Sequence, residues 1–342
     1  MYEVREVLHS EEWEQFNLLQ PYTLFVQSAA YIDFYKKMGE RGWIFGLYKN
    51  GVLIGGSLVV STHAKRGNFL YLPYGPIIPE PTEEKFLVFF NHLKYFAQKQ
   101  KFHFVRVSPF VAETPFHQKL YNSVGFRSSP IHVLAENTWL LDISSDRNEE
   151  EIFKQMDKNH RNLIRRCEKE GVKVEIRKDK EALQILNDML DVTAKKHHFH
   201  RFSRQFVEQE FSVFADKGEA EIFLSYLPNG QIDAAAIIMF YGTMACYRHS
   251  ASYYLDKRLP SSYLIQWRVI QEAKRRGIRT YNFWGVAPRN AEKDHPFYGI
   301  THFKKGFGGR QFDLLPCHDL SISPRYWITR GIETIRRIKR GF

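Results

Sequence analysis

One structural plan appears twice along this chain, and that repetition limits its fold more than any other feature. In the first half, residues 43–48 read as a strand, Asn50-Gly51 as a hairpin turn, and residues 52–61 as a returning strand that contains Gly55-Gly56. A short strand over residues 69–74 follows. Residues 83–99 then carry a helical period, with Phe86, Phe89, Phe90, Leu93 and Phe96 on one side, and residues 104–107 form an apolar strand. In the second half the order returns: a strand over 221–226, the turn Asn229-Gly230, a strand over 232–241 and another over 244–248. A helix over 261–276 follows, with Leu264, Trp267, Ile270 and Ala273 as its apolar face and Gly277 closing it, and then a strand over 279–284. A chain of 342 residues has room for two such units.

Hairpin, strand, helix, strand is the centre of an α/β unit of the acyl-CoA N-acyltransferase (GNAT) type. The expectation is therefore an α/β protein of two tandem GNAT-like domains with a cleft between them. The polar stretch 146–151 marks the break, giving domains over 1–145 and 146–317. A GNAT domain grips the CoA pyrophosphate with backbone N–H groups at a helix N-terminus, supplied by a glycine-rich loop. Here the first copy has Ile77-Ile78-Pro79-Glu80-Pro81, with two prolines that lack the donor and a glutamate that repels phosphate. The second has Leu255-Asp256-Lys257-Arg258-Leu259-Pro260-Ser261-Ser262, which contains no glycine, although Lys257 and Arg258 could still meet an anion. Neither is built for CoA, and no cofactor is implied.

Composition narrows the classes further. A formal net charge of +11 favours an anionic partner such as RNA, nucleotide phosphates or an acidic membrane surface. Cys167, Cys246 and Cys317 are far apart and form no CxxC, which argues against a zinc site or a disulfide framework and fits a reducing cytosol. The run His197-His198-Phe199-His200 has no carboxylate at ligand spacing, so no metal is expected. Residues 1–8 carry no apolar signal region, and no apolar run reaches the ~18 residues of a spanning helix, so a cytoplasmic protein is expected, with peripheral contact at the inner face of the membrane allowed.

The richest chemistry lies near the end. Tyr281-Asn282-Phe283-Trp284-Gly285 is followed by Phe297-Tyr298-Gly299 and by Phe303-Lys304-Lys305-Gly306-Phe307-Gly308-Gly309. An aromatic strand leads to a glycine, and two lysines sit between aromatics beside a Gly-Gly corner. Lysine is a mobile cation suited to phosphates and to developing negative charge. The plainer alternative is a surface lysine pair before a turn. Upstream, Lys154, Lys158, Arg161, Arg165, Arg166, Lys169 and Lys173 recur at helical spacing, either as a stripe for an RNA backbone or as a solvated helix face paired with Asp157, Glu168 and Glu170. At the C-terminus, Ile328, Ile332, Ile335 and Ile338 form a narrow apolar stripe flanked by Arg330, Arg336, Arg337, Lys339 and Arg340. The expectation is that this stripe docks on the core, the alternative being that it lies on an anionic membrane.

In order along the chain, several motifs resemble those of the Fem-type aminoacyl-tRNA-dependent peptidoglycan bridge transferases, in their compact type without a coiled-coil arm. They are Phe25-Val26-Gln27-Ser28 with Tyr31, Tyr71-Leu72-Pro73-Tyr74-Gly75-Pro76, Thr138-Trp139-Leu140-Leu141-Asp142, the basic His160-Arg161-Asn162-Leu163-Ile164-Arg165-Arg166, and the second-half motifs over 247–252, 281–285 and 303–309. Tyr74 stands where that family commonly has a basic residue, and Asn282 where Asp is expected. The resemblance implies two tandem GNAT-like domains, with 318–342 returning to complete the first. It implies transfer of an amino acid from aminoacyl-tRNA to the stem-peptide amine of a peptidoglycan precursor, UDP-MurNAc-pentapeptide or lipid II. It gives Lys304 the role of stabilising the oxyanion or the leaving ribose oxygen, with Phe303 beside it and Lys305 as the substitute. Lys36 and, in a degraded motif, Arg201 become candidates for binding a diphosphate-linked acceptor, Tyr247 for the substrate-facing strand, and Arg161, Arg165 and Arg166 for tRNA. The plainer readings are a solvated helix lysine for Lys36 and a core tyrosine for Tyr247. His249, in the same strand, is either a proton acceptor or a packed histidine. Two other classes stay open: a GNAT-type N-acyltransferase acting on a polysaccharide or small-molecule amine with a non-tRNA donor, and a non-catalytic basic protein that binds RNA or membrane.

Overall fold

The computed structural model describes residues 1–64, 67–197 and 200–340. Two compact units are present, Met1–Glu136 with Asp313–Phe342, and Asn137–Phe312. The first unit begins β1 (Tyr2–Glu6), α1 (Ser10–Leu18), α2 (Ala30–Lys37), β2 (Gly42–Lys49), β3 (Val52–Ala64), β4 (Gly67–Tyr74), α3 (Glu83–Lys99), β5 (Phe104–Pro109), α4 (Pro115–Ser123) and β6 (Arg127–Ser128). The second runs β7 (Asn137–Asp142), α5 (Glu149–Gln155), α6 (Lys158–Lys169), β8 (Lys173–Arg177), α7 (Lys180–His197), α8 (Arg204–Ala215), β9 (Ala220–Tyr226), β10 (Ile232–Tyr241), β11 (Met244–Ser252), α9 (Ser261–Arg275), β12 (Thr280–Gly285), α10 (Tyr298–Lys305) and β13 (Arg310–Asp313). The chain then returns to the first unit with β14 (His318–Ser321) and α11 (Arg325–Arg340).

Each unit is built on one seven-stranded sheet, in the orders β1-β2-β3-β4-β5-β14-β6 and β13-β7-β12-β11-β10-β9-β8. In the first, β2 and β3 meet through a two-residue turn in which Asn50 and Gly51 both take positive φ (51° and 80°), the mirror-image geometry whose twist suits a hairpin. The helix α3 carries the chain across, so β5 lies parallel to β4. Thr82 caps α3 by accepting from Lys85 N (3.3 Å), and Phe86, Phe89, Phe90, Leu93 and Ala97 bury its inner face. Gln27, fully buried, bridges β3 and β4 beyond the end of their ladder: its amide donates to Pro73 O (2.6 Å) and accepts from Leu58 N (2.9 Å).

The second unit repeats the plan with one change at its turn. Pro228 holds a negative φ, so Leu227-Pro228-Asn229-Gly230 closes as a wider turn (Gly230 N to Leu227 O, 2.8 Å) with only the glycine in the left-handed region (φ 83°). The domain break also differs from the sequence expectation. The polar stretch at 146–151 is the N-terminus of α5, where Asn148 and Glu151 cap each other's backbone N–H groups. The division falls instead at Glu136/Asn137, because β7 pairs with β12 and contributes Trp139 and Leu141 to the second core. The returning segment starts at Asp313 rather than at 318.

A buried ion cluster fastens this returning segment. Arg106 on β5 meets Asp319 on β14 with two bonds (Nε–Oδ1 2.7 Å, Nη2–Oδ2 2.9 Å) and Glu333 on α11 with two more (Nη1–Oε1 3.2 Å, Nη2–Oε2 2.7 Å), and all three side chains are almost fully buried. Removing the guanidinium strands two carboxylates inside the protein. Arg106→Met should lower the unfolding free energy by ~3–5 kcal/mol, measured by urea denaturation, and should make the chain between β14 and α11 the first site of limited proteolysis.

Candidate active site

The two units differ where β-α-β crossovers matter most. In the first, β4 and β5 stay paired over six registers, from Phe69↔Phe104 to Tyr74↔Pro109. In the second, the equivalent strands β11 and β12 pair over three, Met244↔Thr280 to Cys246↔Asn282, and then part. Lys304 on α10 spans that opening. Its Nζ donates to Gly285 O at 2.6 Å and lies 5.8 Å from the centre of the Tyr247 ring, the first residue of β11 beyond the paired stretch. Lys304 is buried, and burial pulls its ammonium down to about 7. At neutral pH this lysine therefore exists in both protonation states.

The bend in β12 is locally enforced. Between Asn282 and Gly285 the register with β7 shifts, and Trp284 takes φ 65°, a left-handed conformation costing ~1–3 kcal/mol for a bulky residue. The buried Asn282 stabilises it: Oδ1 accepts from Trp284 N (2.8 Å) and from the Thr138 hydroxyl (2.5 Å). A neutral amide thus occupies the position where Asp was expected. Behind α10, His160 on α6 donates from Nε2 to Phe303 O (2.9 Å) and packs on Gly306, where any Cβ would come within 1.9 Å of the ring. The expected Gly-Gly corner follows, with Gly308 and Gly309 at φ 84° and 90°.

Across β11 a second buried cluster holds the strand. Arg248 occupies a bulge against β10, which lets it and His249 address one carboxylate, Glu210 on α8. Burial alone would raise Glu210, but the Arg248 charge and the His249 bond outweigh it and bring it to about 2. Burial holds His249 below the usual histidine range, which is the packed-histidine reading. The Arg248 guanidinium also lies over the rings of Trp284 (5.1 Å) and Phe202 (5.4 Å).

The structure brings Lys304 and Tyr247 together, while Phe303, next to the lysine in α10, turns its ring to other aromatics. Phe303 packs edge-on against Tyr263 (4.9 Å), and burial lifts the Tyr247 phenol to about 12, leaving it a neutral wall. Lys305 faces the other way, into a cavity of about 700 Å³ that it shares with Trp139, Tyr298, His302, Arg289 and Arg310. Arg201 is committed to Asp191 (2.6 Å) and Asn187 (2.9 Å). Lys36 belongs to the first unit, where it is exposed and 3.6 Å from Asp33. Arg161 donates to the carbonyls of Lys154 and Met156, Arg165 covers the Phe153 ring at 5.1 Å, and Arg166 reaches Arg258 O at 3.4 Å. His198 and Phe199, with the His197 side chain, lie outside the described residues. Among the described residues no group of three or more metal-ligating side chains occurs.

In both crossovers the loop before the helix bonds to the protein itself. In the first unit Ile77 exchanges both backbone bonds with Gly56 (2.8 and 2.9 Å). In the second, the buried Asp233 carboxylate accepts from Leu255 N (2.7 Å) and from the hydroxyl of Ser261 at the start of α9 (2.5 Å), which puts an acidic side chain beside the turn into that helix.

The FemAB family model matches residues 8–129, 124–232 and 228–334. The chain belongs to the FemAB family. A lipid II:glycine glycyltransferase of Staphylococcus aureus is 20% identical over 79% of this chain and 83% of its own. One from Staphylococcus haemolyticus is 21% identical over 48% of this chain and 54% of its own, about half its length. A crystal structure of FemX superposes with a TM-score of 0.84 at 17% identity, covering 97% of this chain and 100% of that one. A tandem GNAT protein from the clavulanic acid biosynthesis pathway gives 0.57 at 11% identity, covering 95% and 99%. The fold is thus that of two tandem GNAT-like domains, and this FemAB protein is an enzyme of the acyl-transferring type.

Motif reading did not identify His160, Glu210 or Arg248 as parts of the site. His160 heads the basic motif, but its partner is a backbone carbonyl, which no residue pattern encodes. Glu210 lies on a helix outside every motif. Glu210→Gln in this FemAB chain should cost ~3–5 kcal/mol near neutral pH, since it leaves Arg248 buried without its counter-charge. Glu210 sits lower folded (about 2) than unfolded (4.5), so its stabilisation is full above 4.5 and fades toward 2. The gap between variant and wild type, read by calorimetry, should therefore narrow on acidification through that window.

Proposed function

We propose that this protein transfers an amino acid from aminoacyl-tRNA to the stem-peptide amine of a peptidoglycan precursor, lipid II or UDP-MurNAc-pentapeptide, in the cytoplasm. The observation that carries this reading is the buried Lys304 ammonium in the β11/β12 opening, in a chain whose relatives include proteins named lipid II:glycine glycyltransferases. An aminoacyl ester is already activated. The acceptor amine attacks its carbonyl carbon, the C–N bond forms, the C–O bond to the ribose breaks, and the amine's proton ends on the ribose oxygen. Nothing in that sequence requires a covalent enzyme intermediate. What the site must supply is alignment and a positive charge for the oxyanion and the leaving oxygen. A lysine near 7, anchored through Gly285 O, supplies the charge and can also pass a proton.

The assay is incubation of the purified chain with charged tRNA and either acceptor, followed by mass spectrometry, with acetyl-CoA as a parallel donor. The expected product is the acceptor enlarged by one or more amino acid residues, abolished by ribonuclease. Acetylation from CoA with no tRNA-dependent product would overturn the reading.

Lys304 makes a second, separable prediction. Lys304→Met should lower kcat by ~10²–10³, the loss typical of one oxyanion donor, with KM little changed. In the wild type, kcat should fall as pH rises through about 7, where the cation is lost. The same substitution should raise the melting temperature. Below pH 7 the folded protein carries the full penalty of a buried charge. Between about 7 and 10.5 the unfolded chain holds a proton that the folded one has shed, so stability rises with pH and the variant's advantage shrinks.

A further inference from the structure

The C-terminal helix α11 is attached to the first unit by its polar face. Tyr326, Thr329 and Glu333 are buried, Glu333 in the Arg106 cluster, Tyr326 against the Phe104 ring (5.3 Å), and Thr329 over Gly67 of β4, where a Cβ would come within 2.7 Å of its hydroxyl. At about 100° per residue these three share one side of the helix, and Trp327, Ile328, Ile332, Ile335 and Ile338 share the opposite side. All five are exposed, from 37% at Ile332 to 75% at Ile338. This corrects the expectation that the isoleucine stripe docks on the core.

Cations run along both borders of that stripe. Arg325 and Arg336 lie along one, Arg330 and Arg337 along the other, and Lys339 follows Ile338. Arg330 is tethered to Ser128 O (2.8 Å), and Arg127 covers the Trp327 ring at 5.0 Å. The helix has one acidic residue, Glu333, and it is spent inside on Arg106. No described helix is long and apolar enough to cross a membrane.

We infer that α11 is an interfacial docking helix for an anionic phospholipid surface. An apolar face carrying Trp, bordered by Arg and Lys and free of exposed acid, meets both demands of a bilayer boundary: apolar burial at acyl-chain depth and cations at the headgroups. An RNA backbone would take the cations and leave the isoleucines in water. A second copy of the helix would cover the isoleucines and set the two cationic borders against each other. The inference stands on the surface of α11 and is independent of Lys304, so it and the acyl-transfer reading fail separately.

The test is co-sedimentation of the full chain with vesicles of phosphatidylcholine alone or mixed equally with phosphatidylglycerol. Wild type should bind the anionic vesicles, less so at high salt. The double variant Ile328→Glu, Ile335→Glu should bind about tenfold more weakly or worse, with an unchanged melting temperature, because both side chains are exposed. Turnover of a soluble nucleotide-linked acceptor should also be unchanged. Arg336→Gln with Arg337→Gln should weaken binding to anionic vesicles without altering the melt. Absence of wild-type binding, or undiminished binding by the isoleucine variant, overturns the inference. So does conversion of a dimer to a monomer by that variant in sedimentation velocity, which would assign the stripe to a second copy. Loss of tRNA affinity with vesicle binding intact would assign it to RNA.

Discussion

Everything chemically interesting in the second unit depends on where one parallel ladder stops. After Cys246 and Asn282 the strands β11 and β12 no longer share hydrogen bonds, and their remaining polar groups need other partners. Asn282 takes the Trp284 N–H and Lys304 takes the Gly285 carbonyl. The lysine is thus part of the accounting that lets the sheet open, as well as a charge placed in the opening. Its lowered proton affinity follows from the same burial.

The first unit shows what the same plan does without such an opening. There β4 and β5 remain zipped, and the segment after β4 folds back to bond Gly56. A duplicated architecture has become asymmetric: one copy keeps a continuous sheet and the other gives up ladder bonds to make a polar gap. The clusters around that gap are buried and cross-bonded. Glu210, Arg248 and His249 hold β11 from one side, and His160 fixes the carbonyl of Phe303, next to the lysine, from another. Precise placement of one cation calls for support of this kind, since a loosely held ammonium would solvate rather than point.

Much of this was legible in the residues. Period-two and helical patterns locate the repeated elements and Asn50-Gly51 marks the first turn, while Phe303-Lys304 stands out by its glycines and aromatics as a candidate for chemistry. What patterns failed to convey were relations between distant residues. The stretch 146–151 was polar because a capping box needs Asn148 and Glu151, and composition alone cannot separate a cap from a linker. Composition and spacing treat the two lysines alike, and only the family resemblance prefers Lys304 to Lys305. One residue along a helix turns a side chain by about 100°, so Lys304 enters the core side while Lys305 faces the basic cavity. Arg201 kept its place before α8, but its charge is taken up by Asp191 and Asn187.

The C-terminal helix shows why amphipathic pattern alone misplaces a face. A stripe of isoleucines ordinarily turns inward, because burying each removes apolar area from water. In α11 that tendency is overridden by Glu333. Its carboxylate must meet Arg106, which already faces Asp319 inside the sheet layer. Rotating the helix to bury the isoleucines would carry Glu333 toward solvent and leave the guanidinium with half its bonds. Charge pairs are directional and apolar contacts are not. An ion cluster therefore sets the rotation of a helix more sharply than a greasy dock would, and here it sets a rotation that holds the apolar stripe outside.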